Sequence, residues 1–336
     1  MSDLRIAVLG VGLMGADHVA RITSRISGAR VGVVNDYLPE KAAEVAAAVP
    51  GARVANDPFD AIADDDVDAI LLATPGPTHE KQLMACLEQG KPVLCEKPLT
   101  TDSGASLAVV RQEAALGTPL IQVGFMRRFD PEYQALKALI DGGELGQPLV
   151  MHCAHRNPTV PAGFDSAMVV RDSLVHEVDV TRFLLGEEIV SVQIIKPMSN
   201  RGAPQGLQDP QIAIFRTVSG RHVDVEVFVT TGVAYEVRTE VVGELGSATI
   251  GLDVGLVRKS APGTWGGRIT PGFRERFGIA YDIEVQRWVD AVRSGVNVDG
   301  PTAWDGYAAA AVCEAGVRSL ESGERVDVEL AERVSA

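Results

Sequence analysis

Cysteine is scarce in this 336-residue sequence, and Cys86, Cys95, Cys153 and Cys313 stand far apart with no CxxC pair. Such spacing excludes a disulfide framework and the usual structural zinc ligand set. Histidine is hardly richer. His152 and His155 lie three apart on an extended segment, point to opposite faces and cannot chelate one ion, so no metal is expected. Positive charge is in deficit, with 31 Lys and Arg against 45 Asp and Glu and a net charge of −14. That balance argues against nucleic acid or an anionic membrane as partner. No apolar run approaches the roughly 20 residues that span a bilayer. The chain enters an apolar segment within four residues, leaving no room for a secretory leader. A soluble, cytoplasmic protein is the expectation.

What is present is ordinary in bulk and specific in detail. Hydrophobic residues make up 46% and charged residues 23%, a globular balance, and the length suits two domains. Residues 4–9 read as a buried strand, followed by Gly10-Val-Gly12-Leu13-Met14-Gly15, a helix to about residue 27, a second strand over 30–35 and then Asp36. Strand, glycine turn, helix, strand and acid in that order form a dinucleotide-binding fingerprint. Gly10 serves the tight turn, Gly12 the approach of the pyrophosphate, and Gly15 close helix packing, with the helix start at Leu13 and Met14 facing the phosphates. A carboxylate at Asp36 accepts from the adenosine ribose hydroxyls and repels a 2′-phosphate. Tyr37 follows it with no Arg or Lys beside it, so NAD is favoured over NADP.

Helices over 41–49, 80–89 and 103–116 alternate with strands over 68–73, 92–95 and 120–123, which predicts a parallel, doubly wound Rossmann sheet. Ligands bind such sheets beyond the C-terminal strand ends. Thr74, Pro75 and His79 follow one strand there, Glu96-Lys97-Pro98 the next, and Arg127 lies after the last. Lys97 can stabilise charge developing on a substrate oxygen, with Glu96 to orient it and a cis Lys-Pro bond as one way of aiming it. His18 and His79 read first as structural, although His79 sits among the cofactor-side residues.

Beyond residue 124 strands dominate, over 148–157, 189–196, 211–218, 222–230, 235–243 and 247–252, with Ser219-Gly220 as a hairpin turn. The second domain, 125–336, is therefore expected to be α+β with a largely antiparallel open sheet, and the first to span 1–124. The stretch 262–277 reads as a loop or lid. Residues 282–294 and 302–322 read as helices, the last packing back on the first domain. His155 and Asn157 share a strand face and can both reach polyol hydroxyls, whereas His152 reads as a packed structural residue.

Residues 171–186 carry the chemistry of this second half. As one helix they place Asp172, His176 and Asp179 at i, i+4 and i+7 on one face, opposite an apolar stripe of Leu174, Val175, Val178 and Leu185, with Gly186 as the stop. A solvated acidic face is the simpler reading. A histidine between two carboxylates is equally the make-up of a proton-handling site.

Gly10-x-Gly12-x-x-Gly15, Glu96-Lys97-Pro98 and the Asp172-x-x-x-His176 helix resemble the glucose-fructose oxidoreductase/inositol dehydrogenase/MocA family across essentially the whole chain. The segments 123–129, 152–159 and 300–307 narrow the likeness to its inositol dehydrogenases. The resemblance implies a catalytic triad of Lys97, Asp172 and His176. It also implies substrate contacts from Arg127, His155, Asn157, Asp179 and Tyr235, and a homotetramer built through the open sheets. The implied reaction is oxidation of a ring secondary alcohol of a cyclic polyol, foremost myo-inositol to 2-keto-myo-inositol, with hydride transfer to NAD and His176 as general base. Scyllo-inositol, another isomer or a glucose-like pyranose are the near alternatives, and a non-catalytic sugar sensor is the distant one.

Overall fold

The computed structural model describes residues 2–251, 257–260, 263–266, 270–296 and 300–333. The chain forms two compact units, one of Met1–Met126 with Ile279–Ala310 and Leu330–Ala336, the other of Arg127–Gly278 with Ala311–Glu329.

The first unit begins with β1 (Leu4–Leu9), α1 (Leu13–Ser24), β2 (Ala29–Asn35), α2 (Pro39–Ala47), β3 (Arg53–Val54), α3 (Pro58–Ala63) and β4 (Ala69–Leu72). It continues with α4 (His79–Glu88), β5 (Val93–Glu96), α5 (Ser103–Leu116) and β6 (Ile121–Gly124). All six strands are parallel, in the order β3-β2-β1-β4-β5-β6. Such strands are covered on both faces, which is why β4 and β5 are unbroken apolar runs up to their last residue rather than alternating ones. Ile6, Val8, Ile22, Val31, Leu71 and Leu94 share one core with Trp288 and Val289. Strand order reverses between β1 and β4, so the turns after these two strands flank the switch point where such sheets take their ligand. The short β3 and α3 were not expected from the sequence. Asp57 caps α3 by accepting from the Phe59 N–H, and Pro58 opens the helix, a local signal that composition alone hides.

The second unit contains α6 (Pro131–Asp141), β7 (Pro148–Arg156), α7 (Ser166–Met168), a π-helical turn (Val169–Leu174), α8 (Val175–Leu185), β8 (Ile189–Ile195), β9 (Gln211–Thr217), β10 (His222–Phe228), β11 (Glu236–Gly243) and β12 (Gly246–Ile250). A short hairpin, β13 (Val257–Ser260) with β14 (Gly263–Gly266), follows in the chain, and then the helices α9 (Phe273–Ser294) and α10 (Ala303–Ser322), of which the stretch Ile279–Ala310 belongs to the first unit. The last strand, β15 (Val326–Asp327), pairs with β8. The sheet runs β12-β11-β7-β10-β9-β8-β15 and is antiparallel except for the central β7–β10 pair. Its strands alternate. Met151, Cys153, His155, Val223, Val225, Val227 and Phe215 face a core that the π-helical turn and α8 cover. Val150, His152, Arg156, Asp224, Glu226, Ile212 and Ile214 face the other way and are more open.

Three expectations need correction. The 171–186 helix is not one α-helix, because Asp172 lies in the π-helical turn and only His176 and Asp179 lie on α8. Nor is α8 amphipathic. Sheet and α6 enclose it, and of its eleven residues only Phe183 is not buried. The 262–277 loop is partly strand and partly helix, since β14 occupies Gly263–Gly266 and α9 already starts at Phe273 and bends at Phe277 (φ −110°, ψ 17°); residues 262 and 267–269 lie outside the described residues.

Candidate active site

The glycine turn after β1 is built around close approaches. Gly10 has φ +83°, and a Cβ there would stand 2.5 Å from the Ala73 carbonyl oxygen. One on Gly15 would stand 1.8 Å from the Gly10 oxygen. Only glycine fits either position. Gly12, the cap of α1, is the opposite case, with nothing within 4 Å of its Cβ position. The first turn of α1, at Leu13 and Met14, holds no acid to oppose an anion. Asp36 is buried, its Oδ2 accepting from the Val11 N–H at 2.8 Å and its Oδ1 from the Leu38 N–H at 3.1 Å. The carboxylate is thus clamped to the glycine turn with lone pairs to spare for ribose hydroxyls. Open space over Gly12, an acid-free helix start and a fixed acid together fit a bound dinucleotide.

The other strand ends are braced from within the unit. The His79 ring nitrogens lie 2.8 Å from the Pro98 oxygen and 2.8 Å from the Thr74 oxygen, joining the turn after β4 to the turn after β5. Through these contacts His79 braces the two loops. Thr74 Oγ1 donates to Gln82, and Pro75 precedes the single turn Gly76–Thr78. Glu96 Oε1 meets His18 Nε2 at 2.8 Å, both side chains being buried. His18 lies on helix α1. Lys97 is half-buried and its bond to Pro98 is cis.

The second unit gathers four of the expected substrate-side residues. The Arg127 guanidinium is 1% exposed and ion-pairs with Glu177, also 1% exposed. Glu177 Oε2 lies 3.0 Å from His155 Nδ1, and Arg127 Nη2 lies 3.3 Å from the same atom. The His155 and His176 rings are 6.3 Å apart and tilted by 53°. Tyr235 stands edge-on to His155 at 5.9 Å and to Phe277 at 6.3 Å, and Arg127 covers the Phe277 ring at 5.4 Å. Burial alone would raise the Glu177 pKa, but the Arg127 charge and the His155 ring outweigh it and hold the carboxyl at about 2. Burial pushes the Tyr235 phenol upward, against the pull of Arg127.

The remaining expected contacts are placed differently. Asp179 is held by Arg128, whose Nε reaches both carboxylate oxygens at 3.0 Å and whose Nη2 reaches Oδ1 at 2.6 Å. Asp172 is half-buried in the π-helical turn. Asn157 follows β7, and its buried Oδ1 has no partner among the described residues. His152 is not packed; its side chain is 49% exposed on the open sheet face and meets Asp224 at 2.5 Å. Alternation puts it on the face opposite His155, as expected, and that face is uncovered in the chain. Glu177 and Arg128 were missed. Their signal was a charge match, since the doublet Arg127-Arg128 answers two buried acids, Glu177 and Asp179, spaced two apart.

Residues 4–125 match the oxidoreductase family GFO_IDH_MocA, described as its NAD-binding Rossmann fold, and residues 137–328 match that family's C-terminal alpha/beta domain. The chain belongs to this family. Among these oxidoreductases it is 76% identical over 336 residues to a protein of Mycolicibacterium gilvum named inositol 2-dehydrogenase, covering 100% of this chain and 96% of that one. A Rhodococcus erythropolis protein of the same name is 74% identical over 337 residues, covering 99% and 97%. The crystal structure of myo-inositol dehydrogenase from Lactobacillus casei, in complex with NAD(H) and myo-inositol, superposes with a TM-score of 0.94 at 35% identity, covering 98% of each chain.

Proposed function

We propose that this protein is an NAD-dependent inositol 2-dehydrogenase that oxidises myo-inositol to 2-keto-myo-inositol. The observation that carries the reading is the wall formed by His176, His155, Tyr235 and Arg127, polar side chains convergent in one small volume. It stands in a chain 76% identical along its whole length to an inositol 2-dehydrogenase. A ring of hydroxyls needs several donors and acceptors at once, because each group left unpaired costs roughly 1–3 kcal/mol.

Lys97, Asp172 and His176 act on one carbinol. An alcohol proton is too weakly acidic to leave unaided near neutral pH, so loss of hydride must be coupled to a base, and an imidazole of ordinary pKa about 6.5 suits that task. His176 takes the hydroxyl proton. The Lys97 ammonium stabilises the negative charge growing on the oxygen. Asp172 orients the hydroxyls and offsets the charge His176 gains. The chemistry that NAD would supply there is that of a hydride acceptor. Gly10, Gly12, Leu13, Met14, Gly15 and Asp36 would hold it, with Thr74 and Pro75 lining its crevice. Arg127, His155, Asn157 and Tyr235 bind the remaining hydroxyls, Arg127 chiefly by holding its neighbours in place. Asp179, gripped by Arg128, contributes through its remaining lone pairs.

The active form is a homotetramer. The open face of the second unit's sheet alternates charge pairs, Arg156 with Glu226 and Glu236, with apolar Ile212, Ile214 and Phe228, and a second copy of the chain covers it. A panel of polyols tests the reaction. NADH should form fastest with myo-inositol; faster turnover of scyllo-inositol or glucose would move the assignment within the family, and no NADH with any polyol would overturn it.

A further inference from the structure

Glu177 is a buried carboxylate in the middle of the site, and none of the proposed chemical steps employs it. It is 1% exposed and bonded on one oxygen to Arg127 and on the other, at 3.0 Å, to His155 Nδ1. An ionised carboxylate can only accept, so the hydrogen in the second contact must come from the ring. Arg127 Nη2 approaches the same nitrogen, but at 3.3 Å. A ring nitrogen carrying a hydrogen has no lone pair left for a second donor. The shorter contact, to the group that has no hydrogen of its own, decides the tautomer.

We infer that Glu177 is a positioning residue that locks His155 in its Nδ1–H tautomer, so that Nε2 presents a lone pair to the ligand. A neutral imidazole carries one hydrogen, and spending it on Glu177 leaves the far nitrogen as an acceptor. Among the described residues no protein group bonds to Nε2, and the ring stands beside His176 and Tyr235. The chemistry selected there is a ligand hydroxyl that donates its hydrogen. An ether, a fluoro or a deoxy substituent at that position is discriminated against. Glu177 thereby does for the histidine that reads the substrate what a carboxylate does for a histidine in a catalytic dyad, setting tautomer and ring angle together. Arg127 completes the arrangement by keeping Glu177 charged.

The substrate consequence rests on the inositol reading, whereas the tautomer belongs to the protein alone, so the two can fail separately. Magic-angle-spinning NMR of the full-length protein labelled with 13C and 15N in histidine, with H155Q to assign the signal, reads the tautomer without substrate. Nδ1–H is expected in the wild type, and Nε2–H there would overturn the inference. In E177Q the lock should be lost and kcat/KM for myo-inositol should fall roughly 10- to 100-fold, as for one lost hydrogen bond, with NADH affinity within about twofold of wild type. An unchanged tautomer and unchanged kcat/KM in E177Q would equally overturn it. Should E177Q fail to fold, the wild-type spectrum still decides. Absent turnover by the wild type with a correct tautomer would strike the inositol reading and leave the lock standing.

Discussion

Burying Glu177 as a charge is tolerable only because Arg127 and His155 meet both its oxygens, and that dependence has a pH signature. Its pKa is held at about 2 against an ordinary 4.5. A depressed carboxyl stabilises the fold fully above its unfolded pKa, and loses that contribution as pH falls through the folded value. The stability gap between wild type and E177Q, read as urea midpoints, should therefore shrink from pH 4.5 down to pH 2; a constant gap would show that Glu177 is not the group being titrated. Asp36 offers a second test at this scale. Replacing it by Ser with Tyr37→Arg removes the clamp over the glycine turn and supplies a cation. Preference, as the ratio of kcat/KM for NAD over NADP, should move toward NADP, and an unchanged ratio would contradict the assigned role of Asp36. Asp36 was legible in the sequence because its distance from the glycines is set by one strand and one helix. Glu177 was not, because its meaning lies in Arg127 and His155, 50 and 22 residues away.

Elements were legible where burial alternates simply. The longer parallel strands of the first unit are mostly apolar and the longer strands of the open sheet alternate, so these were readable to within a residue or two, whereas the two-residue β3 and β15 were not. The π-helical turn at Val169–Leu174 was not, since its sequence serves an α-helix equally well and the wider turn depends on packing around it. The start of α9 was hidden too. Phe273 and Phe277 pack against Tyr235, yet they sit in a stretch whose Gly and Arg content reads as loop. Gly186 ends α8 in the left-handed region at φ +68°, with open space where a Cβ would go. Gly186→Ala should consequently cost about 1–2 kcal/mol from backbone conformation alone, measured by urea unfolding. A cost near zero would mean that the turn relaxes, and that α8 is not tightly held at the end away from His176.

At the scale of the whole molecule, the two compact units correspond to two kinds of sheet, one covered on both faces and the other open on one. The open face carries the prediction about assembly. Multi-angle light scattering should give a mass near four times the 35.6 kDa chain, and a monomer would contradict the proposed tetramer. The account as a whole turns on His176 as the base that takes the carbinol proton. The most direct measurement is turnover of myo-inositol by His176→Ala alongside its affinity for NADH. A fall in kcat of about 10²–10⁴-fold with NADH affinity unchanged is the predicted result, and near-normal turnover would contradict the account.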